Sequence, residues 1–449
     1  MTLHNRTQTA AAAALLLAVL LFAFLAALPD ATAQVWLSNR QYAEGIGVKM
    51  GSSMVFHPGI GVEAGYDSNV YRSETGLIGA ARLRIAPYFD FATLPPQRLE
   101  GEGAKPAVEF RLGLAGVYED WFGKDPSLDD RRDFGVMTDL HFLLFPYGKW
   151  RLQIDDSFTR TITPPNESGP KNHTRDYNDA SIGIKFVPGE ALSVGLKYNF
   201  MINYYEYKPL RNSGNYQQHM ISLNSQWKFL PKTAVTFDGE FIPFLRKGSH
   251  LTGTDVMVAK TSFNLNLWFG LVGLFTKRFG AALRGGYGGG FYSRGDDLDT
   301  WLLQAELRFF TTPMSVLRAG FLRDLRPSYF TNYYMRNQIY LGYEQLIKGK
   351  VLLSGKVLAA YLQYSTMLED GGGTPQPVGP SIMTPDADRT DWVLGAVIFG
   401  EYRIRDWIAV NLTVEYEGDI TDYEITTGTG NIPEAYHKVA VFGGVRAQY

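Results

Sequence analysis

The stretch Leu192-Ser193-Val194-Gly195-Leu196-Lys197-Tyr198-Asn199-Phe200-Met201-Ile202-Asn203-Tyr204 decides the fold class. Leu192, Val194, Leu196, Tyr198, Phe200, Ile202 and Tyr204 share one face of an extended chain, and Ser193, Gly195, Lys197, Asn199 and Asn203 share the other. A helix would scatter the same residues around its whole circumference, so helical amphipathicity fails. The flanking sequence repeats the pattern. Ile221, Leu223, Trp227 and Phe229 alternate with Ser222, Asn224, Gln226 and Lys228; Phe263, Leu265, Leu267, Phe269 and Leu271 oppose Ser262, Asn264 and Asn266. Read outward, about 18 such segments follow one another, from 59–71 and 78–91 to 435–449. Tight connections such as Pro188-Gly189, Thr312-Pro313 and Lys348-Gly349 alternate with longer polar ones such as 122–133, 164–176 and 366–388.

That alternation predicts an all-β protein, a transmembrane antiparallel β-barrel of about 18 strands with short turns on one rim and long loops on the other. A soluble sandwich or propeller is the competing reading. Its strands commonly run only about 5–6 residues, and it has no need for alternating loop lengths. Aromatic residues near segment ends (Trp121, Trp150, Tyr204, Tyr334, Trp392, Trp407) match girdles at two membrane interfaces.

Composition narrows the function. With 449 residues, 43 basic and 45 acidic side chains, the net charge of −2 gives no electrostatic drive toward nucleic acid. The absence of Cys removes disulfide scaffolds, thiolate metal sites and Cys nucleophiles. No His pair has metal-ligand spacing and no Gly-rich phosphate loop occurs. His141 beside Asp139 is the one pairing that looks toward hydrolytic chemistry, and no Ser motif accompanies it. The expectation is a non-enzyme with no cofactor and no metal.

Three regions are expected. Residues 1–33 read as a cleaved signal peptide: a polar start with His4 and Arg6, an apolar run from Ala10 to Leu28, Pro29, then Ala31-Thr32-Ala33 before Gln34. Residues 34–58 form a periplasmic N-terminal segment and 59–449 the barrel, placed in the bacterial outer membrane among lipid and lipopolysaccharide. The final strand counts back by two from Tyr449 through Ala447, Val445, Gly443, Val441 and Val439. This apolar face with a terminal aromatic resembles the signal read by barrel-assembly machinery.

If apolar side chains face lipid, the intervening polar ones face the lumen, because Arg or Lys at the bilayer midplane costs about 2–4 kcal/mol. The candidates are Arg82, Arg84, Glu109, Arg111, Asp139, His141, Arg151, Asp155, Lys185, Lys197, Lys228, Asp238, Glu240, Glu306, Arg308, Arg318, Glu344, Lys356, Glu401, Arg403, Glu415, Lys438 and Arg446. Both signs are interspersed, so no single-sign filter stands out. The expectation is a wet lumen for polar solutes, with Tyr88, Tyr205 and Tyr340 offering faces to sugar rings, and with many of the charges simply pairing across strands.

The segment His57-Pro58-Gly59-Ile60-Gly61-Val62-Glu63-Ala64-Gly65-Tyr66-Asp67-Ser68-Asn69-Val70-Tyr71 resembles the opening strand of a family of outer-membrane β-barrel porins that carry a Gly-Tyr-Asp-Ser-Asn-aromatic motif. With its strand number, the chain also resembles the 18-stranded porins of myxobacterial polysaccharide secretion. That resemblance implies an exit conduit for exopolysaccharide, working with a periplasmic polysaccharide-export protein. Uptake of small solutes or oligosaccharides, and a closed barrel anchoring a cell-envelope machine, are the alternatives.

Overall fold

The computed structural model describes residues 47–94, 106–161, 174–206, 211, 214–249, 256–328, 331–366, 368–369, 376–377, 389–421, 424–427, 430–433 and 435–449. The signal peptide expected at 1–33 lies outside the described residues, as does 34–46.

The strands are β1 (Met54–Asp67), β2 (Ala80–Thr93), β3 (Val108–Phe122), β4 (Asp133–Leu144), β5 (Trp150–Thr161), β6 (Arg175–Phe186), β7 (Leu192–Tyr205), β8 (Tyr216–Leu230) and β9 (Thr233–Arg246). They continue as β10 (Thr261–Leu274), β11 (Phe279–Tyr292), β12 (Leu298–Thr312), β13 (Ser315–Pro327), β14 (Tyr333–Ile347), β15 (Val351–Tyr364), β16 (Thr390–Arg405), β17 (Ile408–Ile420) and β18 (Tyr436–Gln448). Each pairs antiparallel with the next, and β18 pairs back onto β1 from Gly59↔Gln448 to Asp67↔Ala440. The sheet therefore closes as an 18-stranded antiparallel barrel with no free edge. A further short strand, Val48–Met50, folds back on β1, which begins at Met54 rather than near Gly59. Strands of 12 to 16 residues are long enough to cross a bilayer at the tilt of such barrels.

One register row shows why this sequence must be a membrane barrel. Leu144, Leu152, Ile184, Leu196, Leu223, Gly239, Leu267, Tyr287 and Trp301 are successive cross-strand partners over β4–β12. The adjacent row, one residue along each strand, reads Leu143, Gln153, Gly183, Lys197, Ser222, Glu240, Asn266, Gly288 and Thr300. The first row contains no charge and remains on the exposed outer surface, with Leu267 at 39% and Phe269 of the same face at 64%. A water-soluble fold would leave that belt unpaid for; hydrocarbon solvates it. No helix of the described residues is long and apolar enough to cross a membrane.

The motif at the start of the barrel works as a clasp on the closing seam. Asp67 accepts from the Asn69 backbone N–H at 3.0 Å and forms an ion pair with Lys438 Nζ at 2.8 Å, so β1 is held to β18. The buried Asn69 amide donates to the carbonyls of Ser73 (2.8 Å) and His437 (3.0 Å), while Ser68 N–H donates to Val439 O and Ser68 Oγ accepts from Val439 N–H. Gly65 is required by space: a Cβ there would strike the Val441 carbonyl and the Phe442 ring. Asn69→Ala removes both carbonyl contacts in a fully buried site and is expected to lower stability by about 1–3 kcal/mol. Urea unfolding of the refolded barrel in micelles measures this; an unchanged midpoint would argue that the clasp contributes nothing.

Candidate functional site: an asymmetric lumen

The inner face is not uniform. On β15 and β16 the inward residues are largely apolar: Leu352, Leu358, Ala360, Leu362 and Tyr364 on the first, Val393, Val397 and Phe399 on the second. All but Leu352 are buried. Phe399 belongs to one packed cluster with Ala86 and Tyr88 of β2 and Ala115 and Val117 of β3, against which Met137 of β4 and Leu352 of β15 also pack. Along the wall, β16 and β2 are separated by β17, β18 and β1, about 19 Å at the usual strand spacing. Side chains cannot bridge that distance along a flat wall. The two stretches must therefore face each other across a tight bend centred on the seam, where Phe399 and its neighbours close one packed apolar cluster.

The bend also encloses charge. Arg84 Nε lies 2.9 Å from Glu119 and its Nη1 3.1 Å from Glu63, all three buried. Arg446 reaches Glu401 at 3.0 Å and also bonds Gln448, which in turn accepts from Tyr88. Arg82 lies over the Phe442 ring at 4.1 Å and 3.8 Å from Glu119. In a poorly solvated corner such groups are tolerable only when paired. Outside the spanning strands, Arg72 is buried beside Glu417 at 2.8 Å. Burial opposes its charge, but the Glu417, Tyr436 and Asp67 groups raise its proton affinity above the ordinary arginine value.

Strands β4–β14 present the opposite character. Gln153, Asp155, Lys185, Lys197, Asn224 and Asp238 line a recess of about 500 Å³, and Asp139, His141, Asp179 and Asn199 continue it into a second of about 390 Å³. A third recess, about 230 Å³, is bounded by Glu306, Arg308, Arg318, Tyr340 and Glu344.

Every expected lumen residue sits on the face opposite the apolar belt, but their settings divide. Arg84, Lys356, Glu401 and Arg446 are buried, and Arg82 nearly so, within or beside the dry bend. Arg403 reaches Glu401 at 3.4 Å and Arg111 reaches Asp90 at 2.8 Å. Glu306 bonds Arg308 and Tyr340, Glu240 accepts from Asn266 at 3.0 Å, and Asp238 lies 3.3 Å from Arg284. Among the described residues Glu109, Asp139, Arg151, Lys185, Lys228, Arg318 and Glu344 form no ion pair. His141 does not pair with Asp139: its Nδ1 is 2.7 Å from Asp155, because Arg111, His141 and Asp155 are cross-strand neighbours. Of the three tyrosines expected to meet sugars, Tyr88 and Tyr205 are buried and Tyr340 is half-buried, bonded to Glu306. No group of acidic or His side chains among the described residues could hold a metal ion. In the polar connection 122–133, Asp125 caps the short 3-10 turn Pro126–Arg131, accepting from Ser127 N–H at 2.9 Å.

Reasoning by alternation missed the dry bend. The signal was available: Val351-Leu352-Leu353 and Val393-Leu394-Gly395-Ala396-Val397-Ile398-Phe399 are apolar on both faces, the mark of a strand buried on both sides.

No protein-family model matches the chain, and no curated protein matches it in sequence. Among solved structures it is similar to a BenF-like porin from Pseudomonas fluorescens Pf-5 (7% identity, 88% of this chain, 99% of that one, TM-score 0.47). It is also similar to OccK2 (OpdF) from Pseudomonas aeruginosa in complex with glucuronate (10% identity, 87% and 97%, TM-score 0.45). The siderophore receptor PirA from Acinetobacter baumannii gives 10% identity, 88% and 80% coverage and a TM-score of 0.42. Likeness this distant carries no information on substrate, and it lends no support to the link with polysaccharide secretion. What the closed belt itself establishes is an outer-membrane-type β-barrel with a polar wall and a dry, folded wall.

Proposed function

We propose that the protein is a porin of the bacterial outer membrane that admits small polar solutes, and that they move along the wall formed by β4–β14. The observation that carries this reading is the division of the inner face: amide and charged groups line open recesses on one side, whereas the other side is packed and dry. A permeating solute follows the side where water and hydrogen-bonding partners are present. Nothing in this path requires chemistry on the solute, so the barrel acts as a conduit and not as an enzyme.

Small-solute uptake is favoured over polysaccharide export for two reasons. The Gly-Tyr-Asp-Ser-Asn motif, which together with the strand number suggested export, is engaged in clasping the seam, and two of the three tyrosines expected to stack on sugars are buried. The remaining expectations belong to the same reading: processing after Ala33, insertion by assembly machinery that recognises the strand ending at Tyr449, and an N-terminal segment in the periplasm.

Reconstitution in planar bilayers is expected to give discrete, ohmic conductance steps, and liposomes containing the barrel are expected to swell in small sugars. Folded protein that yields neither would defeat the conduit. A deletion strain that loses surface polysaccharide while keeping solute uptake would restore the export reading.

A further inference from the structure

We propose that the recess between β5, β6 and β7 is an anion station, which holds a small polar solute by a carboxylate or phosphate group. This deepens the conduit reading and rests on it. Arg151 and Lys185 are direct cross-strand partners on the inner face. Like charges placed opposite each other destabilise a sheet unless something else offsets them. Arg151 Nε donates only to the Gly148 carbonyl, at 3.3 Å, and Lys185 makes no ion pair among the described residues.

The nearest carboxylates are already engaged. Asp155 is met by His141 at 2.7 Å, Gln153 at 2.8 Å and Lys197 at 3.7 Å; Asp238 accepts from Asn224 at 2.8 Å and faces Arg284 at 3.3 Å. The recess is thus left with a cationic surplus at the short-turn end of the barrel.

Lys185 stands opposite Gly195, and Lys197 opposite Gly183. A Cβ at either glycine would make only ordinary van der Waals contact, at 3.4 Å with the Lys197 stem from Gly183 and at 3.8 Å with the Lys185 stem from Gly195, so the stems lie on an uncrowded wall. Arg151, Lys185 and Lys197 all line the 500 Å³ recess, together with Gly183 and Gly195. An anionic oxygen bridging the guanidinium and the ammonium forms charge-assisted hydrogen bonds and relieves the repulsion between the two cations. Binding of this kind is weak enough for release, as passage requires.

The test uses the full refolded chain, its folding checked by heat-modifiable gel mobility. Arg151→Gln combined with Lys185→Gln is compared with Arg308→Gln combined with Arg318→Gln, the other opposed basic pair, where Glu306 already engages Arg308. In detergent at fixed ionic strength, inorganic phosphate or acetate binds the parent, the first double variant loses affinity about tenfold or more, and Arg151→Lys keeps it. Which of the two anions binds tells phosphate from carboxylate as the recognised group. In bilayers under a KCl gradient, the first pair lowers the chloride-to-potassium permeability ratio about threefold or more and the second pair lowers it less. A folded parent that binds neither anion overturns the proposal, as do equal effects of the two double variants. Silent bilayers with phosphate binding that is lost only in the first double variant would leave the station standing and remove the conduit.

Discussion

Leu267→Arg is expected to lower the stability of the folded barrel by about 2–4 kcal/mol, whereas Asn266→Arg, one residue earlier, changes it little. Leu267 is mid-strand on β10, in the apolar row between Gly239 and Tyr287. An arginine there must lie in hydrocarbon or drag its head group toward an interface. The Asn266 side chain points the other way and donates to Glu240 Oε2 at 3.0 Å, so an arginine in its place gains an acidic neighbour. Unfolding by denaturant in lipid vesicles measures both variants. Equal penalties at the two positions would mean that the faces are not solvated differently, and the membrane barrel would fall with them.

Arg84→Ala is the second large effect, with an expected loss of about 3–5 kcal/mol, because truncation leaves the Glu63 and Glu119 carboxylates buried without their shared cation. Both lie within about 3 Å of the guanidinium, in the bend where the β16 and β2–β3 walls meet. Adding Glu63→Gln and Glu119→Gln to Arg84→Ala is expected to recover much of the loss, since the neutral amides need no counter-charge. A small effect of the single change would show that water reaches Arg84 freely and that the bend is wet.

Most of the strands were legible because each carries one wet and one greasy face, and an alternation of period two can be read locally. The alternation read through Ile221, Leu223, Trp227 and Phe229 falls within β8, and that from Phe263 to Leu271 within β10. The first strand was read from Gly59 although it begins at Met54; in the barrel Pro58 is tolerated because it supplies only its carbonyl, which accepts from Tyr449 N–H at 3.0 Å. The acid that meets His141 was not legible for a related reason. Sequence proximity favours Asp139, two residues away, but register across β4–β5 puts Asp155 directly opposite.

What the chain determined by itself was local: strand length, the direction in which each side chain points, and the polarity of each face follow from neighbours along the backbone. What only the tertiary structure decided was which inward residues meet. Phe399 and Ala86 are more than three hundred positions apart and share one packed cluster only because the closed sheet bends sharply at its seam. Arg151 and Lys185, by contrast, face open space on the far wall. Curvature of the closed sheet belongs to the whole ring of strands, and no single strand encodes it.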